Sequence, residues 1–430
     1  MIVAAILGTL FVLLAIGAPV GFAMALAGSA GLLLKGGWPL LVGVLSTAPV
    51  SAVSAYELIT IPMFLLMAEM VLLSGVAEDL FRAAAAWIGR VPGGLAIATA
   101  IAGAGFGAIC GSSTASAATL SSTSLPAMLR QGYELRLGAG VVAISGTLAM
   151  LLPTSIALVI FGLLADVSIG KLLVSGILPA LLVTAVIILT ILLLIWRDPS
   201  RAPVGVRASW GEKLALLRLV APMVLLFGAV TGAIYSGAAT PTEASAVGAL
   251  GGLLLTAVRG KASPGPLLRA IQHATYGSCM IAMILLGAHI FSYAFTLTQV
   301  TQNLVGWIGT LAVSRWLIVA IILAGYIFLG SFMDQMAILV LTVPVVLPLI
   351  VSLGFDPIWF GVIKIVTAEV GLITPPIGLN CFVVARYAQQ PVGEIFRGTW
   401  PHFLAHLVAI AILVAFPAII LWLPEHMGTR

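Results

Sequence analysis

Apolar residues run along this chain in stretches of roughly 18 or more, each long enough to cross about 30 Å of hydrocarbon as an α-helix. Charge is confined almost entirely to the short breaks between them. The runs at 2–17, 19–34, 55–77, 140–165, 172–196, 219–237, 243–258, 272–298, 361–387 and 398–424 predict ten crossings. Two further apolar stretches, 91–129 and 316–350, read as re-entrant hairpins. The pattern therefore predicts an all-α integral membrane protein of about 10 to 12 transmembrane helices plus two hairpins, and the alternation of a membrane β-barrel does not fit it. The first run lacks a basic leader and is interrupted by GAPVG at 17–21, which argues for two packed helices rather than a cleaved signal. A further crossing within 36–54 would reverse the side of the N-terminus.

Lys and Arg accumulate on the cytoplasmic side of membrane proteins. With both hairpins returning to the side they enter from, fourteen basic residues fall on one face: Arg82, Arg90, Arg130, Arg136, Arg197, Arg201, Arg207, Lys213, Arg218, Arg259, Lys261, Arg269, Arg386 and Arg397. Four fall on the other, Lys35, Lys171, Arg315 and Arg430. The first face is then cytoplasmic, and the hairpins open to opposite sides. The longest polar segment, 197–218, reads as a cytoplasmic linker followed by an interfacial helix and divides the chain into halves at 1–196 and 219–430.

The halves repeat. LLMAEMVLLSGVAEDLFRAAAAWIG (65–89) aligns with LLGAHIFSYAFTLTQVTQNLVGWIG (285–309), LPAMLRQGYE (125–134) with LPLIVSLGFD (347–356), and LLPTSIAL (151–158) with LITPPIGL (372–379). The offset stays within two residues of 220, and by parity the second copy is inverted. Inverted repeats with interrupted helices are the architecture of secondary transporters, whose sites lie at the broken segments.

Each copy holds one hairpin and one broken helix. The first hairpin contains GAGFGAICGSSTASAATLSSTS (103–124), in which small and hydroxylated residues stand where a lipid-facing helix has Leu and Val. Its tip is expected at Gly111, Ser112 and Ser113. The carbonyl and hydroxyl oxygens there suit Na⁺, while helix N-terminal N–H groups suit a carboxylate. Close helix packing is the competing reading of such small residues. The second hairpin carries FLGSFMDQMA (328–337), with Gly330, Ser331 and an intramembrane acid, Asp334, that reads as an Na⁺ ligand, a proton carrier or a cap for the hairpin. Pro153 in GTLAMLLPTSIAL, and Pro375 and Pro376 in EVGLITPPIGLN, remove helical N–H groups and predict local unwinding within 140–165 and 361–387. The carbonyls freed around Gly146, Ala149 and Leu152 are expected to face the first tip, and those around Gly371 and Thr374 the second. Thr154, Ser155 and Asn380 add polarity at the same depth. Glu69, Lys364 and Glu369 are also charges inside predicted crossings, and a spacing of five argues against a direct Lys364–Glu369 helical pair. Thr240 or Thr242, with Glu243, reads as a helix cap.

Composition narrows the function classes further. The chain is 61% hydrophobic and 8% charged, with a mean hydropathy of +1.22. Its net charge of +5 comes from scattered loop residues rather than a basic stripe, which argues against nucleic acid. Cys110, Cys279 and Cys381 lie far apart in apolar runs and suggest neither a disulfide framework nor a zinc site. His402 and His406, at i and i+4, lack a third ligand.

The motifs GSSTAS, GTLAMLLPTSI, ATPTEASAVGAL, GSFMDQMAILVLTVPVVLPL and EVGLITPPIGLN, in that order, resemble the large membrane subunit of tripartite ATP-independent periplasmic (TRAP) transporters, the DctM-type permease, over essentially the whole chain. That resemblance implies a bacterial inner-membrane, elevator-type transporter with scaffold and transport domains. It implies Na⁺-driven uptake of a small organic anion, a carboxylate or sialic acid, delivered by a periplasmic binding protein. It also implies a small four-helix membrane subunit, expected here as a separate polypeptide because no such block precedes Met1 or fills the linker. Carried over by motif, the first Na⁺ site comprises Ser112, Ser113, Gly146, Ala149 and Leu152, and the second Gly330, Met333, Gly371 and Thr374. Gly111, Thr154, Ser155 and Asn380 are assigned to the substrate path, and Asp334, Pro153, Pro375, Pro376 and Glu369 to structure or coupling. The family often has two adjacent prolines in the first broken helix, whereas this chain has Pro153 followed by Thr154. No enzymatic activity, covalent cofactor or redox cofactor is expected. The alternatives are a stand-alone divalent-anion or citrate symporter of similar fold and, more remotely, an intramembrane serine hydrolase using Ser112 or Ser113, for which His273 and His289 lie in the opposite half.

Overall fold

A computed structural model describes residues 2–205, 208–310 and 313–428, apart from the side chains of residues 301, 304 and 309. Arg207 and Arg430 of the charge count lie outside the described residues. All regular structure in the described residues is helical. In chain order the first copy comprises α1 (Ile2–Ala15), α2 (Val20–Val53), α3 (Thr60–Ser74), α4 (Val76–Ile88), α5 (Gly94–Cys110), α6 (Ser113–Arg130), α7 (Leu135–Thr147), α8 (Ile156–Ala165), α9 (Ile169–Ser175) and α10 (Ile177–Arg197). The second comprises α11 (Trp210–Tyr235), α12 (Pro241–Val258), α13 (Pro264–Thr298), α14 (Val300–Thr310), α15 (Arg315–Gly330), α16 (Gln335–Ser352), α17 (Pro357–Gly371), α18 (Leu379–Ala388), α19 (Val392–Ala415) and α20 (Ala418–Glu425). Eight of the helical segments among the described residues are long and apolar enough to cross a membrane on their own.

The run expected at 398–424 is interrupted at Phe416, between α19 and α20, because Pro417 cannot continue the α19 ladder, and two further boundaries differ from the sequence pattern. The run expected at 19–34 does not stop there: α2 continues to Val53 through a kink at Gly37, whose φ of +68° is left-handed. Pro39 follows two residues later, in the first turn after the kink, where its missing N–H has no helical acceptor to lose. The interfacial helix expected before 219 is instead the beginning of α11, which is continuous from Trp210. A capping box between Ser209 and Glu212 starts it, and nothing between 212 and 219 breaks the backbone ladder. The preceding linker is tied down: Gly205 donates to the Gly89 carbonyl at 3.1 Å and Glu134 N–H to the Arg201 carbonyl at 2.9 Å.

The two copies pack as an exchanged pair. α13 lies along α2, and α12 along α3; α6 packs on α18, and α16 on α8. Each of these contacts has a counterpart with the copies swapped, as an inverted repeat requires. Thr60 meets Thr242 through their hydroxyls at 2.9 Å. Its counterpart is the approach of Gly21 to Met283, where an added Cβ would stand 2.7 Å from the Met283 carbonyl oxygen. Small residues at such crossings let helix backbones meet where lipid provides no hydrophobic drive.

α1–α4 and α11–α14 form one group of helices. The hairpins α5–α6 and α15–α16, with the broken helices α7–α8 and α17–α18 and the helices α9, α10, α19 and α20, form the other. α13 is the more exposed kind, with Tyr276 and Met280 turned outward, while α7 and α17 are buried nearly all round. A helix apolar on every side and buried on every side belongs to the interior of a bundle.

Candidate functional site

The first hairpin turns at the expected residues, the second turns after Gly330, and each tip docks on the broken helix of its own copy. α5 ends at Gly111 in the left-handed region, φ +60°. Ser112 then caps α6 by accepting the Ala115 N–H at 3.5 Å. The Thr154 hydroxyl reaches from the first break to the Ala108 carbonyl at 3.0 Å. A Cβ added at Gly146 would stand 2.9 Å from the Ser113 carbonyl oxygen, so only glycine lets α7 approach the tip this closely. Ala149 lies as close to Gly107, 2.7 Å from a Cβ built there. The Leu152 carbonyl turns to the Ser155 N–H at 2.8 Å, and Ser155 caps α8 through the Leu158 N–H at 3.2 Å.

The second tip is built differently. α15 ends at Gly330, and the loop 331–334 leads to Asp334, which caps α16 by accepting the Ala337 N–H at 3.3 Å. Of the three readings of Asp334, the cap is formed. Ile377 and Gly378 donate to the Ser331 carbonyl at 3.1 and 3.3 Å, which fastens the tip to the second break. Gly371 and Gly330 are in backbone contact, with a Cβ at Gly371 only 2.5 Å from Gly330 Cα. Thr374 turns its hydroxyl back to the Val370 carbonyl at 2.7 Å, and Pro375 and Pro376 lie exposed in the break. Met333 and Asp334 line a cavity of about 760 Å³ that separates this tip from the turn between α1 and α2, with Phe11, Leu14, Val20 and Phe332 in its wall.

Of the residues assigned to the substrate path, Gly111, Thr154 and Ser155 are buried and committed to the tip and its break. Asn380 does something else. Fully buried on α18, it accepts from the Ser113 hydroxyl at 3.5 Å and donates to the Ala143 carbonyl at 3.4 Å, joining the second break to the first hairpin across 267 residues.

Several buried polar groups carry no hydrogen bond: the hydroxyls of Ser116 and Ser145, both oxygens of Glu369, the side-chain amide of Gln335 and the ammonium of Lys364. Ser116 lies one turn beyond Ser113, and Ser145 adjoins Gly146. Bare oxygens at this density are costly in a dry core, and they suit a site that takes an ion. Glu369 faces the Ser113 hydroxyl without closing a bond to it. Its sequence signal was an acid inside an apolar run; which tip it faces depends on the packing of α17. Lys364 makes no ion pair with Glu369 and instead lies 5.4 Å from the Tyr326 ring centroid. Glu69 meets His273 at 3.5 Å. His402 and His406 are buried on α19, with His406 Nδ1 at 3.1 Å from the His402 carbonyl. Thr240, not Thr242, caps α12, in a capping box with Glu243.

Two hairpins seated on two broken helices, in copies that exchange contacts, define a multi-pass membrane transporter permease. The chain matches the family model described as Tripartite ATP-independent periplasmic transporter, DctM component, over residues 7–419, and it belongs to that family. It is similar to the C4-dicarboxylate TRAP transporter large permease protein DctM of Pseudomonas aeruginosa, 35% identical over 87% of each chain. It is also similar to the sialic acid TRAP transporter large permease protein SiaM of Vibrio cholerae, 28% identical over 98% of each. Among solved structures, the YdaH transporter of Alcanivorax borkumensis shares the fold, with a TM-score of 0.64 at 16% identity over 93% of this chain and 97% of that one. The protein is thus a TRAP large permease, a multi-pass protein of the bacterial inner membrane rather than an enzyme.

Proposed function

We propose that this permease imports a small organic anion, a carboxylate or sialic-acid-like solute, driven by the inward Na⁺ gradient. The solute is delivered by a periplasmic binding protein, and the permease works with a small four-helix membrane subunit. The two seated hairpin tips carry this reading. Each sets irregular, polar backbone beside a break, and non-helical backbone is tolerated at membrane depth only where protein, water or a bound polar ligand satisfies it. Na⁺ at the first tip would be held by Ser112 and Ser113 with the carbonyls of Gly146, Ala149 and Leu152. At the second it would be held around Gly330, Met333, Gly371 and Thr374. The orphaned hydroxyls of Ser116 and Ser145 support the fit at the first tip. Asn380, whose side chain links the first hairpin to α7, is assigned to the solute path beside the first tip.

The hairpins and broken helices would move together as a transport domain against the scaffold of α1–α4 and α11–α14. Coupling then requires that solute and ion both be present before the domain moves, since movement with either alone would dissipate the gradient. Lipid surrounds the scaffold's exposed apolar faces. The test is uptake into proteoliposomes containing this chain, its small subunit and its binding protein loaded with the solute that co-purifies with it. Accumulation is expected only with an inward Na⁺ gradient. Equal accumulation without one would overturn Na⁺ coupling, and uptake of free solute with neither partner present would make the chain a stand-alone symporter.

A further inference from the structure

We infer that Glu369 supplies, from the second copy, the negatively charged ligand of the cation bound at the first hairpin tip. This rests on the Na⁺ reading above and adds to it a ligand set that crosses the repeat.

α17 packs on the second hairpin through α15 and α16, and on the first broken helix through α7, α8 and the turn Leu148–Met150 between them. Gly371 meets Gly330 of the second hairpin through backbone. Glu369 lies two residues earlier, about 200° around a helix that advances 100° per residue, and so presents the opposite face. That face turns to the first copy: the Glu369 carboxyl is only 2% exposed, its polar neighbour there is the Ser113 hydroxyl, and neither oxygen reaches hydrogen-bond geometry. Ser113 in turn is held by Asn380 at 3.5 Å, from the segment just beyond the same break. Asp334, the cap of the second hairpin, is the other acid within electrostatic reach. An ionised Asp334 disfavours a second charge on Glu369, and a cation held by Glu369 at the first tip offsets that repulsion. Lys364, on the same helix, does not fill that role, since it makes no ion pair with Glu369.

An unpartnered buried carboxyl group is among the costliest arrangements a dry interior can hold, and a bound cation is what makes it tolerable. The alignment of LLPTSIAL with LITPPIGL puts Leu148 at the position equivalent to Glu369, so the acid belongs to the second copy alone. It serves the first tip, whose other ligands are neutral oxygens. One helix end therefore carries Gly371 of one cation site and the charged ligand of the other. Ordering of α17 by either cation prepares the second site.

The experiment uses the purified permease with its small subunit in detergent. The rise in unfolding temperature is titrated with NaCl against choline chloride at constant ionic strength, beside direct ²²Na⁺ binding. For Glu369→Gln, half-saturating Na⁺ should rise by about tenfold or more, the usual cost of losing a metal-supporting carboxylate. The steepness of the Na⁺ titration should fall toward that of a single site. Glu369→Asp, which keeps the charge, should fall between Gln and the native protein, and it carries the test if the Gln variant does not fold. An unchanged half-saturation and steepness in both variants would overturn the inference, as would a uniform loss of stability in choline and Na⁺ alike. Absence of any Na⁺ effect on the native protein would instead overturn the Na⁺ reading itself.

Discussion

The two hairpin tips occupy equivalent places in the repeat yet differ in how they are closed. The first is short and neutral: Gly111 turns the chain, Ser112 caps α6, and the tip is buried against α7. The second is longer and acidic: Asp334 caps α16 and borders a cavity toward the α1–α2 turn. The duplication preserved the backbone device, a capped half-helix seated on a break, while the source of charge diverged. The second tip carries its own acid, and the first faces one from the other copy.

The largest effect should come from the glycines that let each break approach its tip. At Gly371 a Cβ would strike Gly330 Cα, backbone against backbone, so nothing flexible can yield. Gly371→Ala should cost about 3 kcal/mol or more, at the upper end for overpacking. At Gly146 the nearest atoms stand further off, at 2.9 Å, but they are the Ser113 carbonyl oxygen and the rigid Ala117 methyl, so Gly146→Ala should cost less, about 2 kcal/mol. Unfolding in detergent measures both, and the reverse order would mean that the second tip is the looser one.

The caps come next. Ser112→Ala and Asp334→Ala should each lose about 0.5–2 kcal/mol, the usual range for an N-cap. Asp334→Asn keeps a capping oxygen and should stay within a few tenths of a kcal/mol of the native protein. If Asp334 also attracts the second cation, this variant weakens Na⁺ binding without lowering stability in choline. Equal destabilisation by Asn and Ala would show that the charge, not the cap, holds the second tip.

The smallest effect lies outside the membrane. Hydrogen bonds from Ser200 and Arg201 hold the Asp198 carboxyl below the usual carboxylate range. A depressed folded value means that its contribution is present at neutral pH and is lost as pH falls from about 3.9 through the lower folded value. Because Asp198 is solvent-exposed, Asp198→Ala should leave the unfolding temperature nearly unchanged at pH 7. A large drop would show that the linker clamps the first hairpin's mouth more firmly than its backbone bonds to Glu134 and Gly89 imply.

Much of this was legible in local patterns. The hairpins, the breaks at Pro153 and at Pro375–Pro376, and a threonine cap on α12 follow from apolar run length, missing N–H groups and local spacing, though the choice of Thr240 over Thr242 needed the structure. The path of α2 was not legible, because Gly36, Gly37 and Pro39 read equally as an end or a kink. The start of α11 was missed because the polar composition of 209–218 masks an unbroken ladder.

By itself the sequence determined that the chain lives in a membrane, that it is duplicated, and which residues turn and break its helices. These are properties of chain segments in a low-dielectric solvent, where every unpaired backbone group is costly. Only the tertiary structure decided which tip each polar group serves. Asn380 reaches Ser113, Glu369 turns to the first hairpin while Gly371 touches the second, and Thr154 is spent on its own tip. Those assignments depend on how two inverted copies interlock, with contacts hundreds of residues apart fixed by glycine-sized gaps between helices.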